Sequence, residues 1–188
     1  MDIEKNQKLM IRFMTDINYQ SISNLFKWVE DGYTNGVNFF RILISSSGGL
    51  IVSGLTAYNY LKNLPVCIET VSLGDIESAA VMLFCAGKQR ISVPNARFMF
   101  HDVTYRFQVG SEPLVLNESN LKEIIEGIKM DRRLSAQVVA NTTGKSVEEV
   151  EQLMIEGKVM NAEEAQEMGL VTMISENIIE DGIRIVSV

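Results

Sequence analysis

The residues best suited to chemistry in this sequence are Ser78, His101 and the glycine pair Gly48-Gly49. Ser78 lies in VSLGDIESAAVMLFCAG (Val71–Gly87), where an apolar strand meets Gly74 and then a run of small and apolar residues. From Ser78 to Ala86 that run reads as a buried helix with the serine in its first turn. Free backbone N–H groups and the positive end of the helix dipole converge there. A nucleophilic serine needs such surroundings while oxyanion charge develops. Serine is also an ordinary helix N-cap, so a nucleophilic role requires a base and a second oxyanion donor. His101 is the only histidine in the chain. Any imidazole chemistry falls to it, and a zinc site built on several histidines is excluded. The glycines, within SSSGGL, can present backbone N–H groups without side-chain obstruction.

Bringing these groups together takes an alternating chain of strands and helices. Lys8–Met14 reads as a first strand, and Asn18–Glu30 as an amphipathic helix with Ile22, Leu25, Phe26 and Val29 at helical spacing. Turn residues fill Asp31–Gly36. Val37–Ser45 is a near-continuous apolar strand of the kind buried in a parallel sheet. The SSSGGL turn opens a helix with Ile51, Leu55, Tyr58 and Leu61 on one face, ending near Pro65. Cys67–Leu73 is the next strand, and the helix from Ser78 follows it. Two short strands, Arg90–Val93 and Arg97–His101, flank Pro94 and Asn95. Val103–Val115 reads as an extended excursion from the body. Asn117–Thr142 is a long helix striped by Leu121, Ile124, Ile125, Ile128, Leu134, Val138 and Val139. A capping box, Ser146 with Glu149, opens a helix to Ile155. A short helix over Ala162–Met168 ends at Gly169, Leu170–Ile174 is a strand, and IIEDGIRIV reads as a hairpin around Asp181-Gly182. In an open α/β sheet the carboxyl ends of successive strands converge on one edge. Gly49 is then a donor, Ser78 a nucleophile followed by the Ala79 N–H, and His101 a base, which together meet the demands of acyl transfer.

A chain of 188 residues is one domain by length, large enough to bury a core without crosslinks. A hydrophobic content of 46% with 22% charged residues belongs to a folded globular protein. The net charge of −7 leaves no basic surplus to displace counterions from phosphates, so no nucleic-acid partner is expected. Cys67 and Cys85 lack CxxC spacing and read as buried free thiols in a reducing compartment. The N-terminal MDIEKNQKLM has no apolar stretch of signal length, and no run approaches the roughly 20 apolar residues of a membrane span. A cytoplasmic location without membrane contact is expected. No phosphate loop or dinucleotide fingerprint accompanies the glycines, and neither a metal nor another cofactor is expected.

At these residues the sequence resembles the proteolytic subunit of the Clp protease, a ClpP-like serine peptidase, and the wider ClpP/crotonase fold. ISSSGGLIVSGLTAYNYL is similar to the family's strand–glycine–helix segment, and GDIESAAVMLFCAG to its nucleophile helix. RISVPNARFMFHD is similar to the strand pair ending in the catalytic histidine, and TGKSVEEVEQLMIEGKVMNAEEAQEMGLV to the C-terminal helices. The likeness runs from about Leu9 to Ile174 with these motifs in order. It implies an α/β fold: a ClpP/crotonase-like spiral of β-β-α units with a protruding handle, a strand plus the long helix over about 103–142. The whole of 1–188 would form one such domain. It implies a serine endopeptidase like the proteolytic subunit of the ATP-dependent Clp protease, hydrolysing peptide bonds through an acyl-enzyme. Ser78 would be the nucleophile, His101 the general base, and the Gly49 and Ala79 N–H groups the oxyanion hole. A peptide or unfolded-protein substrate and a homo-oligomer (a heptameric ring or stacked rings) are implied with it, as is a Clp-type ATPase partner.

The sequence also departs from the family. The third triad member is an aspartate shortly before the NAEEA-like motif, and Gly157 stands at that place. Without a carboxylate the imidazole loses its tautomer lock and its counter-charge, which costs serine proteases about 10⁴ in turnover. Glu156 is the nearest substitute. Asp102 adjoins His101 but is disfavoured, because consecutive strand residues point to opposite faces. A catalytically weak or inactive scaffold paralogue is the alternative reading. A crotonase-type acyl-CoA enzyme is a further one, disfavoured because both Ser78 and His101 are present. The first strand is expected close to Met1, so an axial pore segment is not expected, and the glycine turn lacks the family's preceding proline. Tyr105 and Arg106 stand where the family's handle is glycine-rich, and Leu43 and Asn63 fall at aromatic positions of the ATPase-docking groove. These departures argue against docking to an unfoldase ring.

Overall fold

The computed structural model describes residues 7–105 and 116–188. Its strands are β1 (Gln7–Phe13), β2 (Val37–Ser46), β3 (Cys67–Glu77), β4 (Gln89–Ser92), β5 (Arg97–Met99), β6 (Val159–Asn161), β7 (Met173–Ile174) and β8 (Arg184–Ser187). The helices are α1 (Tyr19–Thr34), α2 (Ile51–Asn63), α3 (Ala79–Cys85), α4 (Glu118–Thr143), α5 (Val147–Glu156) and α6 (Ala162–Glu167). The sheet runs β6-β5-β3-β2-β1-β8, with β4 between β3 and β7. Among the described residues only the β5–β6 pairing is antiparallel.

The long strand β3 organises the site. Glu69–Ser72 pairs with β4, and Asp75–Glu77 pairs with β5. One strand thus serves two neighbours in succession, which turns the layer into a spiral. Gly74 lies at the changeover and is strand, not the turn expected from the sequence. The β2–β3 register shifts beside it, between Ile44 and Ser46, and a Cβ on Gly74 would stand 3.2 Å from Ser45 Oγ. The chain turns four residues beyond Gly74, at Ser78 itself.

Alternation along β2 separates two faces. Phe40, Ile42 and Ile44 join the main core beneath the helices, while Leu43 packs with Val71 and Ile91 on the opposite face. Helix α3 is buried along its whole length. Seven residues are too few to hold a helix in water, so burial sustains it, at about 1.5–3 kcal/mol for each large apolar side chain. Phe84 meets the Phe98 ring at 5.4 Å between centroids. The face α2 turns to α3 consists of Ser53, Gly54, Ala57 and Leu61, smaller than the expected stripe of Ile51, Leu55, Tyr58 and Leu61. The reason is close approach: a Cβ on Gly54 would stand 2.8 Å from Ala79 O and from Met82 Cε.

Other expectations are corrected. Helix α1 continues through Asp31–Thr34, where Gly32 lets it lie on Phe40 (2.7 Å from a Cβ built on the glycine), and ends at Asn35. The antiparallel partner of β5, β6, was not expected. The terminal hairpin does not form: β8 adds in parallel to β1 at the sheet edge. The chain before it is tied down by polar contacts. Arg41 pairs with Glu69 (2.5 Å), reaches Glu180 (3.0 Å) and donates to Ile178 O (2.8 Å), and Lys8 holds Glu180 at 2.7 Å. Cys67 is exposed at the start of β3, whereas Cys85 is buried and its thiol is pushed up to about 11 by loss of solvation. Helix α4 matches its expected span, and Asn117 and Ser146 form the capping boxes of α4 and α5. The excursion expected at Val103–Val115 lies outside the described residues from 106 to 115, and Arg106 with it. No helix among the described residues is long and apolar enough to cross a membrane.

Candidate active site

Ser78 is the only non-glycine residue with positive φ among the described residues (φ 53°, ψ −124°). A side chain in such a conformation costs about 1–3 kcal/mol. Both flanks hold it there: Ser78 N–H donates to Met99 O at 3.0 Å, and Val81 N–H donates to Ser78 O at 3.0 Å. Although Ser78 occupies the N-cap position of α3, its side chain makes no capping bond. The strained strand-to-helix turn exposes the hydroxyl instead, the geometry of a nucleophile elbow.

The glycine turn sits directly against this serine. Gly48 (φ 94°) would carry a Cβ 2.7 Å from both Glu77 O and Ser78 Cβ and 3.1 Å from Ala79 N. Gly49 (φ 146°) would drive a Cβ into the Ile17 carbonyl. Neither position admits a side chain. The β1–α1 loop grips the turn from behind, with Ile17 N–H donating to Gly48 O (2.7 Å) and Leu50 N–H to Ile17 O (2.8 Å). Ser47 Oγ adds a bond to Asp16 Oδ1 at 3.2 Å. The Gly49 and Ala79 N–H groups are left without a hydrogen-bond partner among the described residues. The Ile17 clamp had no signal in the sequence, because its work is done by main-chain atoms.

Ser78, Gly48, Gly49, Ala79 and His101 line one cavity of about 840 Å³. Met82, Val139 and Met154 give it an apolar wall, and Asp16, Asp102 and Asp131 add carboxylates. His101 enters from the loop after β5. Phe100 N–H still donates to Lys158 O (2.9 Å), extending the antiparallel β5–β6 pairing by one residue. Gly157 precedes Lys158 in the chain, at the end of α5. There Gly157 has φ 68° and closes α5 with the paired bonds of a Schellman motif, Gly157 N–H to Met154 O (3.2 Å) and Lys158 N–H to Leu153 O (3.0 Å). A Cβ on Gly157 would have nothing within 4 Å.

Glu156 does not reach the imidazole. It is exposed on the last turn of α5 and accepts from Gln152 Nε2 at 2.7 Å, because the helix directs it along its own surface. His101 Nδ1 instead meets the main-chain oxygen of Asp102 at 2.7 Å. The Asp102 carboxylate turns to α4, taking Arg132 Nε and Nη2 at 2.7 Å each, and accepts from Val103 N–H at 2.7 Å. Partial burial works to raise the Asp102 pKa, but the Arg132 and Val103 hydrogen bonds, with the charges of Arg132 and His101, outweigh it and hold the carboxyl below its ordinary value. A folded-state pKa below the unfolded one adds stability above the ordinary aspartate range, and that stability is lost as pH falls through the folded value. Asp102→Asn should therefore flatten the acid limb of a thermal-stability profile taken from neutral pH to about pH 2. Arg132 had no sequence signal, since it lies on a long helix thirty residues away from Asp102.

The fold is the α/β architecture of ClpP. The chain aligns with an asparagine-to-aspartate mutant of ClpP1 from Listeria monocytogenes at a TM-score of 0.79 and 22% identity, covering 90% of this chain and 92% of that one. Residues 33–178 match the Clp protease family. Since that match takes in well over half of the sequence, the chain belongs to the Clp protease family.

Proposed function

We propose that this protein is a ClpP-like serine endopeptidase, a peptide-bond hydrolase that works through an acyl-enzyme on Ser78. The observation that carries the reading is the strained Ser78 turn: a side chain with no capping bond, flanked by the uncommitted N–H groups of Gly49 and Ala79. His101 Nε2 takes the Oγ proton as Oγ adds to the scissile carbonyl. The Gly49 and Ala79 N–H groups receive the oxyanion. The protonated imidazole then gives its proton to the departing amine, and water, activated by the same nitrogen, releases the acyl group. Purified protein should cleave unstructured fluorogenic peptides, and a fluorophosphonate should stop it. No cleavage of any peptide in a diverse library would favour the scaffold reading, which draws support from the absence, among the described residues, of a carboxylate on His101 Nδ1.

Gly157 bears on that second reading. An aspartate there would add a charge-assisted hydrogen bond where His101 now has a neutral one, a gain of roughly 1–2 kcal/mol. Gly157→Asp should raise the acylation rate about tenfold, against a stability loss of about 1 kcal/mol from the left-handed backbone. Stopped-flow acylation and thermal melts measure the two effects.

The working form is a homo-oligomer of ring type. The outer part of α4 supports this, since Leu121, Ile125 and Leu134 remain 47%, 49% and 44% exposed, and the buried residues of the helix all lie from Ser135 onward. Leu121→Glu with Ile125→Glu should lower the sedimentation coefficient toward that of a single chain. The expected ATPase groove has lost one of its positions, because Leu43 is fully buried. The substrates are short peptides or loosely folded chains, and addition of a Clp ATPase should not bring degradation of a folded protein. A reducing, cytoplasmic setting suits the unpaired thiols of Cys67 and Cys85.

A further inference from the structure

We infer that the peptide unit joining Asp102 to Val103, locked by Arg132 of α4, orients His101 in place of a triad carboxylate. Both polar groups of that unit are engaged. Its carbonyl, on Asp102, faces His101 Nδ1 at 2.7 Å, and its N–H, on Val103, donates to Asp102 Oδ1 at 2.7 Å. A carbonyl only accepts, so the proton is on Nδ1 and the lone pair on Nε2. That is the tautomer a general base toward Ser78 requires, and the partner of one ring nitrogen decides which nitrogen carries the proton.

A neighbouring carbonyl is a weak orienting group if its loop can swing. Here the loop is fastened to α4 at adjacent residues. Arg132 forks both Asp102 oxygens, and Asp131 accepts from Tyr105 Oη at 2.8 Å, with Gly127 leaving room for the tyrosine ring. Bidentate guanidinium–carboxylate pairs are geometrically the most specific of the charged hydrogen bonds. The chain of constraint runs from Arg132 to the Asp102 carboxylate, to Val103 N–H, across the peptide plane to Asp102 O, and so to Nδ1. Asp102 and Arg132 are positioning residues, and neither touches the reacting atoms. The device fixes the tautomer but supplies no full negative charge to the imidazolium, since the Asp102 charge is matched by Arg132. It also makes the base dependent on the docking of α4.

The catalytic half of this inference rests on the peptidase reading, whereas the tautomer does not, and one experiment separates them. Because His101 is the sole histidine, the full chain labelled with ¹⁵N-histidine reports a single imidazole by NMR. In its neutral form, the wild-type ring should carry its proton on Nδ1. Arg132→Met and Asp102→Ala should move most of the population to Nε2–H and slow fluorophosphonate acylation of Ser78 by about tenfold to a hundredfold, the range seen when outer-shell partners of a metal-binding imidazole are removed. Arg132→Lys should restore part of both. An Nε2–H ring in the wild type would overturn the inference, as would an unchanged tautomer in folded Arg132→Met and Asp102→Ala. The wild-type spectrum stands without any variant, so a variant that fails to fold does not remove the test. An Nδ1–H ring that depends on Arg132 in a protein that never acylates would uphold the positioning device and defeat the peptidase.

Discussion

Ser78→Ala should lower hydrolysis of an unstructured peptide by about 10³-fold or more and leave the melting temperature where it was. The two halves of that result discriminate between the roles open to a serine at a helix start. A capping serine contributes about 1 kcal/mol, and its loss from a domain of this size would lower the melting temperature by about 2–4 °C. Ser78 makes no such bond. Alanine at φ 53° bears the same backbone strain as serine, so it offers neither relief nor added cost. Activity then falls without a change in stability. A loss of stability with activity retained would return Ser78 to the role of a cap.

Gly49→Ala should be nearly as damaging, for a different reason. Removing one oxyanion donor costs about 10²–10³ in turnover, and here the donor is a main-chain N–H that only a displacement of the turn can take away. The added methyl provides that displacement by colliding with the Ile17 carbonyl, to which Leu50 N–H is bonded. The φ of 146° adds strain of about 1–3 kcal/mol. Both turnover and stability should fall, as read by peptide hydrolysis and thermal melts. Gly144→Ala is the matched control: that glycine also has positive φ (80°), but a Cβ there would have nothing within 4 Å. It should cost about 1–2 kcal/mol and leave turnover unchanged.

Where the chain's chemistry is carried by side-chain type and spacing, the sequence was readable. The apolar run of β2, the small residues of α3 and the glycine pair each permit one arrangement, and together they imply the convergence of Gly49, Ser78 and His101 in one cavity. Gly74 misled because a glycine inside a strand looks like a turn unless the register shift opposite it is known. β6 was missed because Val159–Asn161 is short, and its antiparallel partner is set by tertiary pairing alone. The hairpin expected around Asp181-Gly182 gave way to an edge strand because β1 offered a free neighbour. Glu156 was suggested by closeness in sequence to Gly157, but the helix carries its side chain outward. The partner His101 does have, Asp102 O, is a main-chain atom, and residue type gives no sign of a main-chain contact.

The most direct test of the account is covalent capture of the nucleophile. Full-length protein treated with a fluorophosphonate at neutral pH should gain a single adduct by intact mass, mapped to Ser78, and the adduct should form far more slowly in His101→Ala. No adduct, an adduct on another residue, or equal labelling of the His101→Ala variant would contradict it.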